Sequence, residues 1–351
     1  MTILLLGANG QVGRELRHAL VETSEQTTSR HPGESRNPVS LSLNATSNMD
    51  SGLRRNDGKG DPSFARIVAA TRDGQLTDGG CCETADLAQP DSLRDLLDRV
   101  QPDIIVNAAA HTAVDRAEDE PDLAQRINAD AVGVLAQWAA AHDALLVHYS
   151  TDYVFDGTQS TPRREDDPTA PLGVYGASKL AGEQALRDSG AHHLLFRTAW
   201  VYAAHGHNFL KTMLHLGATH ERLTVVDDQH GTPTPAALIA EVTATALRQW
   251  QQAEPTARAN LEGTFHLVAD GDTTWCGFAR AIMQRAAASG LIEHAPEVVA
   301  VGSSAYPTRA ERPTWSVLDT SRLRRTFGIE LPRWEQGLQQ VLADILRARK
   351  S

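Results

Sequence analysis

Tyr175 and Lys179 stand four residues apart in "GVYGASKLAGE", residues 173–183. On an α-helix this spacing puts both side chains on one face, so a phenol and an ammonium can reach one ligand. The chemistry this suits is carbonyl reduction. The alkoxide that forms as hydride arrives must receive a proton, and a tyrosine of ordinary pKa about 10 becomes a better donor when a lysine charge lowers that value. The alternative is an exposed Tyr/Lys pair on an amphipathic helix. Upstream, "LLVHYSTDYVFDG" reads as a strand that delivers Ser150, Thr151 and Asp152 to its carboxyl end. Thr151 there can orient the carbonyl and completes a Thr, Tyr, Lys set. Lys179 can also bond the ribose of a nicotinamide cofactor, whose contribution is the hydride.

Such a set needs strands that end side by side and a place for the dinucleotide. "TILLLG" is a short apolar run typical of a buried parallel strand, and "QVGRELRHALVE" continues at helical period. Between them lie Gly7, Gly10 and Gly13, a GxxGxxG at a strand-to-helix turn. Glycines there allow a tight turn and close approach of backbone to a diphosphate, with the helix N-terminus supplying free N–H groups; the alternative is a purely structural turn. "ARIVAATRDG" predicts a second strand ending near Arg72. An arginine at that place accommodates the 2′-phosphate of NADPH, with NADH as the alternative cofactor and an exposed loop arginine as the bland reading. "DIIVNAAAHT" predicts another buried strand running into Ala109 and Ala110, small enough for a flat cofactor to lie against backbone. The acidic run from Asp115 to Glu120 reads as a solvated helix start.

The whole chain has 351 residues, enough for about two domains or one elaborated domain. With 41% hydrophobic and 22% charged residues it reads as an ordinary globular protein, and a formal net charge of -11 argues against nucleic acid as a partner. No window approaches the about 20 apolar residues of a membrane span, and the opening "MTILLLGANGQVG" predicts no signal peptide. Three cysteines form neither a disulfide framework nor a metal motif, which points to the cytoplasm, and the 14 histidines show no ligand spacing. No metal site is expected. Residues 24–64, rich in Ser, Asn, Gly and Pro and lacking any sustained period, predict a disordered insertion irrelevant to chemistry.

The glycine turn, "NAAA" and "STD...YxxSK" resemble the extended short-chain dehydrogenase/reductase superfamily. Within it, "VNAAAHTAVDRAE", "HYSTDYVFDG", "VYGASKLAGE", "FRTAWVYA", "NFLKTML", "DDQHGTPT" and "AYPTRAERP" are similar to the dTDP-4-dehydrorhamnose reductase family, over nearly the whole chain outside 24–64. The resemblance implies an α/β fold: a doubly wound, Rossmann-type parallel sheet over residues 1–230 and a smaller substrate-binding lobe mainly from 231–351, with segments interwoven. It implies NADPH-dependent reduction of a dTDP-4-keto-6-deoxy sugar, the last step of dTDP-L-rhamnose synthesis for cell-surface polysaccharide such as O-antigen. By the resemblance Tyr175 is the proton donor, Lys179 its partner, and Thr151 and Asp152 touch the sugar. Gly10, Gln11 and Val12 meet the diphosphate, Asp86 and Leu87 the adenosine side, and Ala109, His111, Thr112 and Tyr149 the nicotinamide side. Trp200 matches a sugar-stacking tryptophan, a core aromatic being the alternative. Arg309 and Arg312 suit the nucleotide diphosphate, since guanidinium binds phosphate in a bidentate manner.

The chain also departs from the family. An Asp common at the end of strand 2 is absent. Some relatives form a dimer bridged by Mg2+ through glutamates, which implies a homodimer; Glu15 is present, but the second position falls at Ala237, which departs from that Mg2+ site. Two rival readings stand beside reduction. One is a nucleotide-sugar epimerase or dehydratase, although dehydratases follow the Thr with Asp-Glu and here Asp152-Tyr153 follows. The other is a non-catalytic NADP-binding regulatory subunit, which the complete Thr, Tyr, Lys set disfavours.

Overall fold

The computed structural model describes residues 1–25, 39–40 and 66–350. Seven parallel strands form the main sheet: β1 (Thr2–Leu6), β2 (Arg66–Thr71), β3 (Glu83–Thr84), β4 (Ile104–Asn107), β5 (Leu145–Thr151), β6 (His193–Thr198) and β7 (Gly263–His266). Their spatial order is β7-β6-β5-β4-β1-β2-β3. The register is tight at the centre, where Ile3 lies opposite Ile67 on one side and Ile104 on the other. The order reverses at β1 and β4, and open α/β sheets bind ligands in the crevice at the carboxyl ends beside such a switch.

Alternation along the strands sends successive side chains to opposite layers, so the apolar runs are buried on both faces. Ile3, Leu5, Val106, Val147 and Phe196 pack in one core with Leu16 of α1 (Gln11–Glu25) and Leu238 of the long helix Ala236–Gln252. Leu4, Leu6, Ile105, Leu146 and Leu195 pack in another with α2 (Pro90–Val100) and α3 (Ala131–Ala141). Helix α4 (Val174–Asp188) completes this second layer through Leu186. This is the expected doubly wound sheet. The sheet and its layers draw on both sides of residue 230: β7 lies beyond it, and so does the 236–252 helix that covers α1.

After β6 comes α5 (Phe209–Gly217), whose first turn is capped where Asn208 Oδ1 accepts from Lys211 N at 3.0 Å. The 236–252 helix is α6, followed by α7 (Trp275–Ala288) and α8 (Trp334–Lys350). Thr274 caps α7 by accepting from Gly277 N at 2.9 Å. Around these helices run two short ladders, Arg222–Val226 parallel to Glu297–Val301 and His230–Gly231 antiparallel to Thr273–Thr274. Among the described residues no helix is long and apolar enough to cross a membrane. The predicted insertion at 24–64 lies mostly outside the described residues; within it Val39–Ser40 pairs in parallel with Ile329–Glu330.

Candidate active site

The glycine turn closes at the carboxyl end of β1. Gly7 has φ +76°, and a Cβ there would stand 2.7 Å from the Ala109 nitrogen. A Cβ on Gly13 would stand 2.1 Å from the Gly7 carbonyl oxygen, so α1 can begin here only if that residue lacks a side chain. Gly10 N donates to Gly7 O at 2.9 Å, which folds the turn tightly beneath the start of α1. This is a backbone cradle at a helix N-terminus that suits a dinucleotide diphosphate. Val12 packs half-buried on the core. The Gln11 carboxamide is held by the loop before α5, its Oε1 accepting from Asn208 Nδ2 at 2.7 Å.

Arg72 is exposed at the end of β2, where it can meet a 2′-phosphate. The Asp86 carboxylate accepts from Ala88 N at 3.0 Å and Gln89 Nε2 at 3.3 Å, a local arrangement just before α2. Leu87 is core, buried with α2 and α3.

From β4 the chain runs into half-buried Ala109, Ala110 and His111 and exposed Thr112. Asn128 fixes this stretch. It sits in a π-helical turn, Arg126–Asp130, and its side chain bonds both backbone groups of His111, at 2.9 and 3.1 Å. The same amide donates to Ser178 Oγ at 3.0 Å, tying the cofactor side of the cleft to α4. Turns of this kind recur at functional sites. No spacing within the sequence marks Asn128.

Of the Thr, Tyr and Lys expected to act together, the Thr151 and Tyr175 hydroxyls are hydrogen-bonded to each other, while Lys179 lies one turn further along α4. Thr151 ends β5; its hydroxyl donates to Asp152 Oδ1 at 2.9 Å and accepts from Tyr153 N at 3.2 Å. Tyr175, the second residue of α4, is half-buried and packs edge-on against Tyr153 at 5.6 Å between ring centroids. Gly176 allows this approach, because a Cβ there would stand 2.2 Å from the Tyr153 carbonyl oxygen. Burial pushes the Tyr175 hydroxyl up to about 12, opposed by its hydrogen bond with Thr151. The expected lowering by Lys179 is therefore overturned in the free protein: Lys179 Nζ is spent on Tyr149 O at 2.6 Å and His148 Nε2 at 3.2 Å. Tyr149 also needs correcting. Its ring turns into the core against Phe196 and its hydroxyl pairs with Thr243 Oγ1 at 2.8 Å, so only its carbonyl reaches the site.

Lys179 itself is 1% exposed, and burial lowers it to about 8 although the Glu183 charge opposes this. Burial also pushes the Glu183 carboxyl up, but the hydrogen bonds and charge of Arg197 outweigh it and leave the group below its ordinary value. That ion pair is bidentate, at 2.9 and 2.7 Å. Asp152, 2% exposed, is raised by burial to about 6.

The acidic run opens a helix, Val114–Asp119, as expected, and its partly exposed carboxylates are also paired. Asp115 takes both ends of the Arg312 guanidinium, at 3.1 and 2.6 Å, and Arg309 pairs with Asp119. Glu118 Oε1 accepts from Val174 N at 2.8 Å and so caps α4, whose own N-cap Gly173 has no side chain to do it. Glu120 pairs with Arg116 and His111. Arg312 thus stands at the cleft already neutralised, closing the C-terminal segment over residues 111–120, where it was expected to be free for phosphate.

Trp200 has φ +47°, a left-handed conformation that costs a tryptophan about 1–2 kcal/mol. One face of its indole is taken by Trp275, stacked at 3.6 Å and 8°, and Gly231 approaches so closely that a Cβ would lie 2.5 Å from Cε2. The flat surface expected for a sugar is therefore shared with Trp275, a residue that sequence spacing did not mark. Glu15 pairs with His205 Nε2 at 2.7 Å. Among the described residues no three His, Cys, Asp or Glu side chains gather as a metal site would require.

A family model described as the RmlD substrate binding domain matches residues 1–347. A dTDP-4-dehydrorhamnose reductase of Burkholderia thailandensis is 46% identical over 348 residues, 99% of each chain. The enzyme of the same name from Salmonella typhimurium is 46% identical over 260 residues, 74% of this chain and 85% of the relative. Among solved structures, a dTDP-4-dehydrorhamnose reductase from Clostridium acetobutylicum superposes with TM-score 0.76 at 30% identity, covering 99% of this chain and 100% of the other. One from Bacillus anthracis in complex with NADP gives 0.74 at 28% identity, covering 98% and 99%.

Proposed function

Because the chain belongs to the dTDP-4-dehydrorhamnose reductase family, we propose that it reduces dTDP-4-dehydro-β-L-rhamnose to dTDP-β-L-rhamnose with NADPH, through Thr151, Tyr175 and Lys179. What supports this reading is the hydrogen bond between the Thr151 and Tyr175 hydroxyls at the carboxyl end of β5, with Lys179 one turn along the same helix and the glycine cradle at the carboxyl end of β1. The nicotinamide supplies the hydride. Every other part of the step falls to the chain's own residues.

Tyr175 gives its phenolic proton to the C4 oxygen as charge develops there, and Thr151, whose own proton lies on Asp152 in the free protein, orients the carbonyl by turning that proton to the C4 oxygen. A phenol held up at about 12 is fully protonated at neutral pH, as a donor must be. In the free protein Asp152 accepts from Thr151 and so holds that hydroxyl beside Tyr175. The site residues and the division into a cofactor unit and a substrate lobe are parts of this proposal, as is a cytoplasmic location, which rests on three unpaired cysteines.

The test supplies the 4-keto substrate made in situ by the preceding epimerisation, follows NADPH oxidation and identifies the product by NMR. The expected product has the rhamnose configuration. A different 4-hydroxy sugar would move the protein to another reductase of the superfamily, and no NADPH oxidation by folded protein would favour a binding subunit. In the same assay Tyr175→Phe should lose at least about a thousandfold in kcat while NADPH affinity stays within a few fold, since only the proton donor is removed.

A further inference from the structure

A chain of hydrogen bonds under the cleft has a direction that fixes the protonation of each member. Ala109 N donates to Asn107 Oδ1 at 3.2 Å, which leaves the Asn107 amide nitrogen facing His148 Nδ1, also at 3.2 Å. An amide nitrogen can only donate, so Nδ1 must accept and the imidazole must carry its proton on Nε2. Turning the Asn107 amide over would set its nitrogen against the Ala109 N–H. The imidazole is fully buried, and burial alone pushes it below its ordinary pKa whatever the charge on Lys179, so it is neutral. Its Nε2–H therefore points at Lys179 Nζ, 3.2 Å away. Against an ammonium this is donor facing donor. Against a neutral amine it is a hydrogen bond, and Nζ still donates to Tyr149 O at 2.6 Å.

We propose that His148 is a positioning residue for Lys179, held by Asn107 in the Nε2–H tautomer so that it favours the neutral amine of Lys179 in the cofactor-free protein. The other charged groups around Lys179 do not supply this bias. On α4, Glu183 opposes it but is bound by Arg197 of β6 and Arg187 of α4, and Tyr175 is a neutral phenol. On β4 Asn107 is uncharged, the π-turn contributes only the amide of Asn128 through Ser178, and Asp152 beyond β5 acts on Tyr175. Burial lowers Lys179 to about 8 on its own account, in the direction the hydrogen-bond polarity requires.

The chain has four lysines, Lys59, Lys179, Lys211 and Lys350, so the free protein labelled with 13C-lysine gives four Cε signals that report Nζ ionisation. The Lys179 signal, identified by its absence in Lys179→Met, should titrate near about 8, apart from the other three. In His148→Gln the amide can turn its oxygen toward an ammonium, and the midpoint should rise by about one pH unit. Asn107→Asp keeps the imidazole but accepts from Nδ1–H, which turns Nε2 into an acceptor, and should raise it too. Lys179 titrating together with the other lysines in the unaltered protein overturns the proposal, as does a midpoint that stays or falls in whichever variant folds. The alkaline break in kcat/KM should move with the midpoint, whereas a merely structural role would scale rates and leave the break in place. That arm alone rests on the proposed reductase activity; the NMR arm needs no substrate, so the two readings fail separately.

Discussion

Asp152 shows how burial and chemistry oppose each other at a single residue. Its carboxyl is raised from 3.8 to about 6, so between those values the folded protein binds a proton that the unfolded chain releases. Stability contributed by this group is therefore lost as pH rises through that window, the reverse of the ordinary salt-bridged carboxylate. A shift of about 2 units corresponds to about 3 kcal/mol at neutral pH. Asp152→Asn should recover part of this at pH 7 and nothing at pH 4, measured as the difference between the two proteins in denaturant midpoint across pH 4–7. It should also lower kcat/KM for the sugar, because the acceptor that directs the Thr151 hydroxyl is weakened. A difference in stability that is flat with pH would show that Asp152 does not titrate there.

Elements place these residues, and the decisive case is α4. Gly173 cannot cap it with a side chain, and Glu118, far away in sequence, accepts from Val174 N instead. Tyr175 is the next residue, so the cap sets the position of the proton donor. Glu118→Ala should cost about 1–2 kcal/mol of stability and reduce kcat more than it raises KM for NADPH. Equal kcat with the stability loss would mean that Tyr153 and Gly176 alone seat the helix. The case also marks what the sequence can disclose. The glycine turn, the apolar strands and the Tyr175/Lys179 pair were legible because each is written in a few adjacent residues: a period, a turn or an i, i+4 spacing. Glu118, Asn128, His148 and Trp275 were not, because each gains its role from a partner brought close only by folding. Asp115 with Arg312 is the same case in reverse: two charged residues that read separately as solvated and as phosphate-binding satisfy each other.

At the scale of the whole molecule, what separates the chemistry from the remainder of the chain is the polarity of the parallel sheet. Thr151, Gly7, Arg72 and Ala109 all lie at or just beyond carboxyl ends. The chain leaves α1 at Glu25 and re-enters at Arg66, whose N–H donates to Met1 O at 2.8 Å beside the amino end of β1. Five or six residues of strand, about 17–20 Å, separate that edge from the cleft. Connections between a helix and the next strand of such units commonly need only 2–6 residues, so a short Gly/Ser join can replace residues 26–65 without altering either end. The replacement removes the two-residue ladder of Val39–Ser40 with Ile329–Glu330, a small loss outside the main sheet. The shortened protein should keep kcat and KM for NADPH within a few fold, with Tm changed by only a few degrees. A folded, shortened protein with kcat reduced a hundredfold would show that residues 26–65 act at the cleft despite entering and leaving the fold at its opposite edge.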